Sequence, residues 1–411
     1  MNTLKRKKVL FISYDGLLDQ LGASQILPYL EGLVSKVDKI HVISFEKREK
    51  MDKRSFELTQ KLKNKDIQWH PLIFSSKYGV IGKIFDAIKM QYFSFYLTRK
   101  NSIDIIHCRS HLPAITGRVT KLIFSTKLLF DFRGLWVDER IDKGGWNMDF
   151  FFHRMQYKFL KAIERFLISG SDHIVVLTEK VIKEIQILGK KNIEKISVIP
   201  CCADYSHFKI FDDISSLKKD LNIPEQSTVI GYLGSVGKMY MVKEILFFFK
   251  SYIADHPSSI LLIITEEIDN FMAIAAKELN QEQLANLRIQ SASRDKVPEY
   301  INVMDIMAMF CVPSYARIAA CPTKMGESLA CGVPIIANEG IGDVSEIMVK
   351  IKGGIMLHDT SPSRIAYGIE ELHKGNFKSG NELRKASEDI FSLDLGVKKY
   401  VKVYESIFIS A

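Results

Sequence analysis

Lys324 and Glu327 stand three apart in the run Cys321-Pro-Thr-Lys-Met-Gly-Glu327, a spacing that puts both on one face of a helix. Pro322 fits the first helical position, where its missing N–H does no harm, so a helix opens at 321–323 with Lys324 in its first turn. Free N–H groups and the helix dipole favour an anion there, and a cation is unfavourable unless a bound anion or acidic partner compensates. The pair supports two readings. In one, Lys324 and those N–H groups hold a phosphate, while Glu327 accepts hydrogen bonds from two vicinal hydroxyls such as those of a ribose. In the other, the two residues form a surface ion pair worth about 0–1 kcal/mol.

The helix needs a stop and a strand on either side. Gly332 can take the left-handed stop position and Pro334 cannot continue the helix. An apolar run ends at Val312, a polar loop carries Arg317, and Val333–Ala337 reads as a short buried strand. Upstream, strand patterns at Lys8–Ser13, Lys39–Phe45, Asp104–Cys108 and Lys127–Phe132 alternate with helical ones such as Ser24–Lys36. That order is α/β, with a doubly wound parallel sheet whose ligand lies beyond the strand C-termini. The loops there are 14–23, which contains Gly22; 109–113, which contains His111; and 133–140, which contains Arg133, Asp138, Glu139 and Arg140. Ser171–Glu179 reads as a strand running into a helix capped by Thr178. A second strand-then-glycine unit opens at Thr228–Leu233 with Gly234-Ser-Val-Gly-Lys238. Val397, Tyr400, Val401, Tyr404 and Phe408 make the apolar stripe of a last helix.

The 411 residues, 47% hydrophobic and 26% charged, suit two soluble globular domains. No apolar run reaches the length of a membrane span, and the one after the basic N-terminus is too short for a signal peptide. Six cysteines without metal-ligand spacing read as reduced thiols of a cytoplasmic protein. Residues 1–205 carry 35 Lys and Arg against 22 Asp and Glu, whereas 206–411 carry 22 against 26. The first half therefore suits an anionic partner, for which a membrane surface is one candidate. The aromatic, basic stretches 78–100 and 146–167 either lie on such a surface or pack on their own sheet. Nucleic acid is not expected, because the basic residues are scattered through aromatic helices and no known module is present.

Pro322-Thr-Lys-Met-Gly-Glu-Ser-Leu-Ala-Cys-Gly-Val-Pro-Ile-Ile336 with Gly340-Ile-Gly-Asp-Val344 resembles the donor-binding segment of the retaining, two-domain (GT-B) glycosyltransferases of family four. Asp131-Phe-Arg-Gly-Leu-Trp-Val-Asp-Glu-Arg140 resembles a bacterial surface-polysaccharide branch, and Ile196–Phe208 resembles the family's interdomain crossing. The resemblance implies two Rossmann-like doubly wound domains facing across a cleft. Residues 1–205 form the acceptor side, 206–395 the nucleotide-sugar-binding domain, and 396–411 a helix crossing back to the first. It implies donor binding by Gly22, Gly234, Lys238, Arg317, Thr323, Lys324 and Glu327, and catalytic roles for Lys324, Arg133 and His111. It implies a nucleotide-sugar donor, a glycan or lipid-linked acceptor, and retention of configuration. No Asp-x-Asp occurs, and clustered cations can replace a metal, so neither metal nor cofactor is expected.

Gly22 either approaches the donor diphosphate or merely opens a helix, and His111 is either catalytic or a structural loop histidine. Four positions depart from the family's pattern or leave it open. Arg133 stands where other branches have a histidine, Ser235 where an arginine is usual, and Ala319 where a second glutamate is frequent. Either Lys238 or Lys243 supplies the remaining charge on the diphosphate. The alternatives are a degenerate GT-B protein that binds a nucleotide or partner without catalysis, or a nucleotide-sugar epimerase or phosphorylase.

Overall fold

The computed structural model describes residues 3–51, 53–75, 79–237 and 239–409. The chain divides into two compact units, residues 1–200 with 393–411, and residues 201–392.

In the first unit the strands are β1 (Lys8–Ser13), β2 (Lys39–Glu46), β3 (Ile67–Ile73), β4 (Ile105–Arg109), β5 (Lys127–Asp131), β6 (His173–Val176) and β7 (Ile196–Val198). They form one parallel sheet in the order β3-β2-β1-β4-β5-β6-β7. A parallel sheet is covered on both faces, which is why β1 and β4 are buried almost throughout. The helices are α1 (Gln20–Gln25), α2 (Leu27–Val34), α3 (Lys53–Lys63), α4 (Gly79–Asn101), α5 (His111–Ile123), α6 (Trp136–Asp142), α7 (Phe151–Gly170) and α8 (Ile182–Gly189). Right-handed crossovers put α2 and α3 on one face of the sheet and α4, α5, α7 and α8 side by side on the other. The C-terminal helix Leu393–Ile409 belongs to this unit and packs on α2.

Four local expectations are corrected. The single helix expected over 24–36 is two, α1 and α2, broken at Ile26, because Pro28 lacks an N–H and its ring clashes with the carbonyl four residues back. His111 is not in a loop: Ser110 turns the chain at φ 71° and His111 opens α5, with Pro113 tolerated in the first turn. Residues 136–142 are helical rather than loop. The helix expected to open at Thr178 begins only at Ile182, with Val181 at its N-cap.

The second unit has β8 (Val229–Leu233), β9 (Ile260–Ile264), β10 (Leu287–Gln290), β11 (Ile306–Met309), β12 (Ile335–Asn338) and β13 (Gly354–Leu357), parallel in the order β10-β9-β8-β11-β12-β13. Its helices are α9 (Ser215–Asp220), α10 (Val242–Asp255), α11 (Ile268–Glu278), α12 (Gln281–Ala285), α13 (Val297–Val303), α14 (Thr323–Ala330), α15 (Val344–Ile351), α16 (Pro362–Lys374) and α17 (Gly380–Phe391). The C-terminal helix is α18. Chain order reverses between β8 and β11, so the segments leaving those two strands flank the sheet's switch point. Gly332 does stop α14, at φ 73°.

Candidate functional site

At that switch point the second unit gathers most of the residues singled out from the sequence. β8 ends at Leu233 and the chain turns at Gly234 with φ 137°, a region that disfavours any side chain. β11 leads into the short turn Tyr315–Ala319 and then α14. Lys324, on the first turn of α14, is buried, and its Nζ donates to the Leu233 carbonyl oxygen at 3.1 Å. The ammonium lies 4.7 Å from the ring centroid of Tyr232 and 4.6 Å from that of Tyr240. A Cβ placed on Gly234 would sit 3.5 Å from Nζ, so the glycine keeps the approach to the lysine open.

Burial draws the Lys324 pKa below the ordinary lysine value. The charge of Arg317 adds to this, while Cys311 and Glu327 oppose it. Arg317 keeps its Nε buried without a hydrogen-bond partner among the described residues, as does the Oγ of Ser314 beside it. Thr323 opens α14, half-buried, and no side chain caps that terminus. The N-cap is Pro322 itself, whose carbonyl oxygen accepts from the Met325 N–H at 3.1 Å, so the Thr323 and Lys324 N–H groups are the ones left for a ligand or solvent. Ala319 is buried in the turn, and Ser235 is exposed.

Glu327 is buried on the same helix, and Arg294 Nη1 stands 3.8 Å from its Oε1. Burial raises the Glu327 pKa, with the charges of Arg294 and Lys324 pulling the other way. Arg294 was not singled out from the sequence. Its one legible signal was position, in the 291–296 segment that leaves the C-terminal end of β10. Tyr232 and Tyr240 were missed for the same reason, since nothing in a strand pattern says which tyrosine will face a lysine 92 or 84 residues away. Lys238 lies outside the described residues. Lys243 sits on α10 and pairs with Glu278 at 3.1 Å.

The first unit contributes two separate arrangements at the C-terminal edge of its sheet. Arg133 holds the buried Asp131 through Nε at 3.0 Å and Nη2 at 2.8 Å, and its Nη2 also donates to the Tyr400 hydroxyl of α18 at 3.2 Å. Burial acts to raise the Asp131 pKa, but Arg133, with His107 and Arg109, brings it well below the usual carboxylate range. His107 Nδ1 lies 2.8 Å from the Tyr404 hydroxyl, a second tie to α18. His111, also buried, has Nε2 2.9 Å from Glu164 Oε1 and stacks on Trp136. Glu164 and Asp138 both hold Lys161. Arg133 and His111 thus belong to different networks.

Gly22 is the third residue of α1 and is buried. A Cβ there would lie 2.0 Å from the Gly16 carbonyl oxygen and 2.6 Å from Leu17 Cα, both backbone, so glycine is what lets the 14–19 loop fold against the helix. Glu46 holds the same loop by accepting from the N–H groups of Leu17 and Leu18 at 2.7 and 3.2 Å. Among the described residues no group of three or more His, Cys, Asp or Glu is placed to hold a metal ion.

Residues 30–207 match the family model described as Glycosyltransferase Family 4, and residues 213–389 match that described as Glycosyl transferases group 1. Both units are glycosyltransferase domains. The chain is also similar to an uncharacterised glycosyltransferase of Methanocaldococcus jannaschii, 23% identical over 266 residues. That match spans 62% of this chain and 64% of the archaeal protein, less than two thirds of its length. Among solved structures, a glycosyltransferase from Rickettsia africae superposes with a TM-score of 0.70 at 16% identity, covering 99% of this chain and 100% of that one. Anabaena Alr3699/HepE in complex with UDP and glucose gives 0.68 at 14% identity, covering 98% and 100%. The transferase domains therefore share the GT-B fold.

Proposed function

We propose that the chain is a glycosyltransferase that moves a sugar from a nucleoside diphosphate donor to a lipid-linked glycan acceptor in bacterial surface polysaccharide synthesis, of capsule or O-antigen type. The reaction proceeds in the cytoplasm, with retention of configuration and without a metal ion. The carrying observation is the buried Lys324 at the switch point, beside Gly234 and close enough to Arg317 to feel its charge, with Glu327 one turn deeper on the same helix. When the sugar leaves, negative charge gathers on the β-phosphate, and donors preorganised at that oxygen are the main catalytic resource. Lys324, Arg317 and the N–H groups of Thr323 and Lys324 opening α14 supply them, the work a Lewis-acid metal does elsewhere. Glu327 takes the ribose hydroxyls. Retention and the lipid-linked acceptor are supported by the family-four resemblance alone.

The Anabaena structure holds UDP and glucose, which makes UDP the first nucleotide to try. Thermal unfolding of wild type and Lys324→Ala with UDP, GDP, dTDP, CMP or ADP, without added metal, tests the reading. A nucleotide at 100 times its Kd stabilises by about 2.7 kcal/mol. One responding diphosphate, with the shift lost in the variant, supports the donor site. No response to any of the five moves the reading to a partner-binding protein on the same fold.

A further inference from the structure

We infer that the outer face of α4, α5 and α7 docks onto an anionic lipid bilayer surface. On α4 the residues Ile81, Ile84, Phe85, Ile88, Tyr92 and Tyr96 follow helical-face spacing, yet they point away from the unit's core. Phe85 is 54% exposed and Tyr92 65%, while the opposite face of the helix buries Asp86, Met90, Ser94 and Leu97. The same inversion recurs on α7, where Phe152, Met155, Phe159 and Phe166 form an outward stripe and Phe152 is 75% exposed. α5 lies between the two helices and exposes Leu122 and Ile123. An apolar area continued over three neighbouring helices exceeds the scattered apolar residues of an ordinary surface and marks an interaction site.

Charge selects the occupant. The three helices carry ten Lys and Arg against two acidic residues, Asp86 and Glu164. Both acids are buried, so the charge these helices present outward is positive. Aromatic and aliphatic side chains set among lysines and arginines fit the boundary between acyl chains and anionic headgroups. A second copy meeting this face through a two-fold axis would set the cations against each other. No helix among the described residues is long and apolar enough to cross a membrane, so the attachment is to the surface. Docking would bring the first unit to where a lipid-linked acceptor lies; that consequence rests on the proposed function, whereas the docking itself does not.

Co-sedimentation of the full chain with vesicles tests it. Wild type should pellet with phosphatidylglycerol–phosphatidylcholine vesicles at low salt and bind pure phosphatidylcholine at least tenfold more weakly. The triple variant Phe85→Ser, Phe152→Ser, Phe159→Ser should lose at least tenfold in binding to the anionic vesicles. The charge variant Lys83→Glu, Arg99→Glu, Lys158→Glu should lose the salt dependence. A cooperative thermal transition in each variant shows that it is folded. Wild type remaining in the supernatant with anionic vesicles overturns the inference. So does a dimer in light scattering that the serine variant dissolves while wild type ignores vesicles. Vesicle binding by a chain that binds no nucleotide would sink the donor reading and leave the docking face standing.

Discussion

Lys324 Nζ stands 3.1 Å from the carbonyl oxygen of Leu233, the last residue of β8. A buried ammonium is tolerated there because a carbonyl and two tyrosine faces replace part of its hydration. All three are neutral, so the cation's charge remains available to an anion.

Lys324→Ala should therefore separate function from stability. Loss of one preorganised donor to the leaving phosphate costs about 2.7–4 kcal/mol of transition-state stabilisation, or 10²–10³ in rate. The fold should hold, because removing the ammonium also removes its desolvation penalty. Steady-state kinetics with the nucleotide sugar identified by thermal shift, alongside a melting curve, would show this. A wild-type rate in the variant would remove Lys324 from the site.

The Arg294–Glu327 pair predicts a pH effect. Burial has already raised the Glu327 pKa, and Arg294 is the largest influence lowering it. Arg294→Ala leaves that carboxyl with less to keep it ionised, so its pKa rises further and its charged fraction falls earlier as pH drops. An ionised Glu327 is the better acceptor for ribose hydroxyls. As pH falls, nucleotide affinity of the variant should begin to weaken at a higher pH than that of wild type, as titration calorimetry over a pH series would measure. Parallel pH profiles would mean that Arg294 does not act through Glu327.

What the sequence revealed depended on the range of the forces involved. β1 and β2 were legible almost to the residue because strands buried on both faces read as dense apolar runs, unbroken over residues 9–12 and interrupted over 40–45 only by His41 and Ser44. α14 was legible because Pro322 and Gly332 punctuate it locally. The partners of Lys324 were not, since Leu233 is 91 positions away and only the strand order brings it near. His111 was misplaced for a smaller reason, a left-handed Ser110, which a residue other than glycine or asparagine does not announce.

Asp131 tests the first unit's charge network. Its pKa is depressed in the folded chain, so its contribution to stability is fully present above the ordinary carboxylate value of 3.8 and is lost as pH falls below it towards the folded value. Asp131→Asn leaves Arg133 and Arg109 without their buried counter-charge, a loss of about 3–5 kcal/mol at neutral pH. Chemical denaturation should show that gap at pH 7 and a narrowing gap below about pH 3.8. A gap independent of pH would show that packing, not charge, is what Asp131 supplies.

Gly22→Ala separates the two readings of the glycine. The added Cβ meets the Gly16 carbonyl oxygen at 2.0 Å, and backbone on both sides leaves no flexible side chain to yield. Overpacking of this kind destabilises by about 1–3 kcal/mol. Glu46→Gln attacks the same loop from its other side, weakening the acceptor that holds the Leu17 and Leu18 N–H groups. If Gly22 serves only to fold the loop, both variants lower Tm and change sugar transfer together. If the Gly22 backbone also approaches the donor, Gly22→Ala loses kcat/KM well beyond Glu46→Gln at a matched loss of Tm. Measuring both quantities on both variants decides between the two roles.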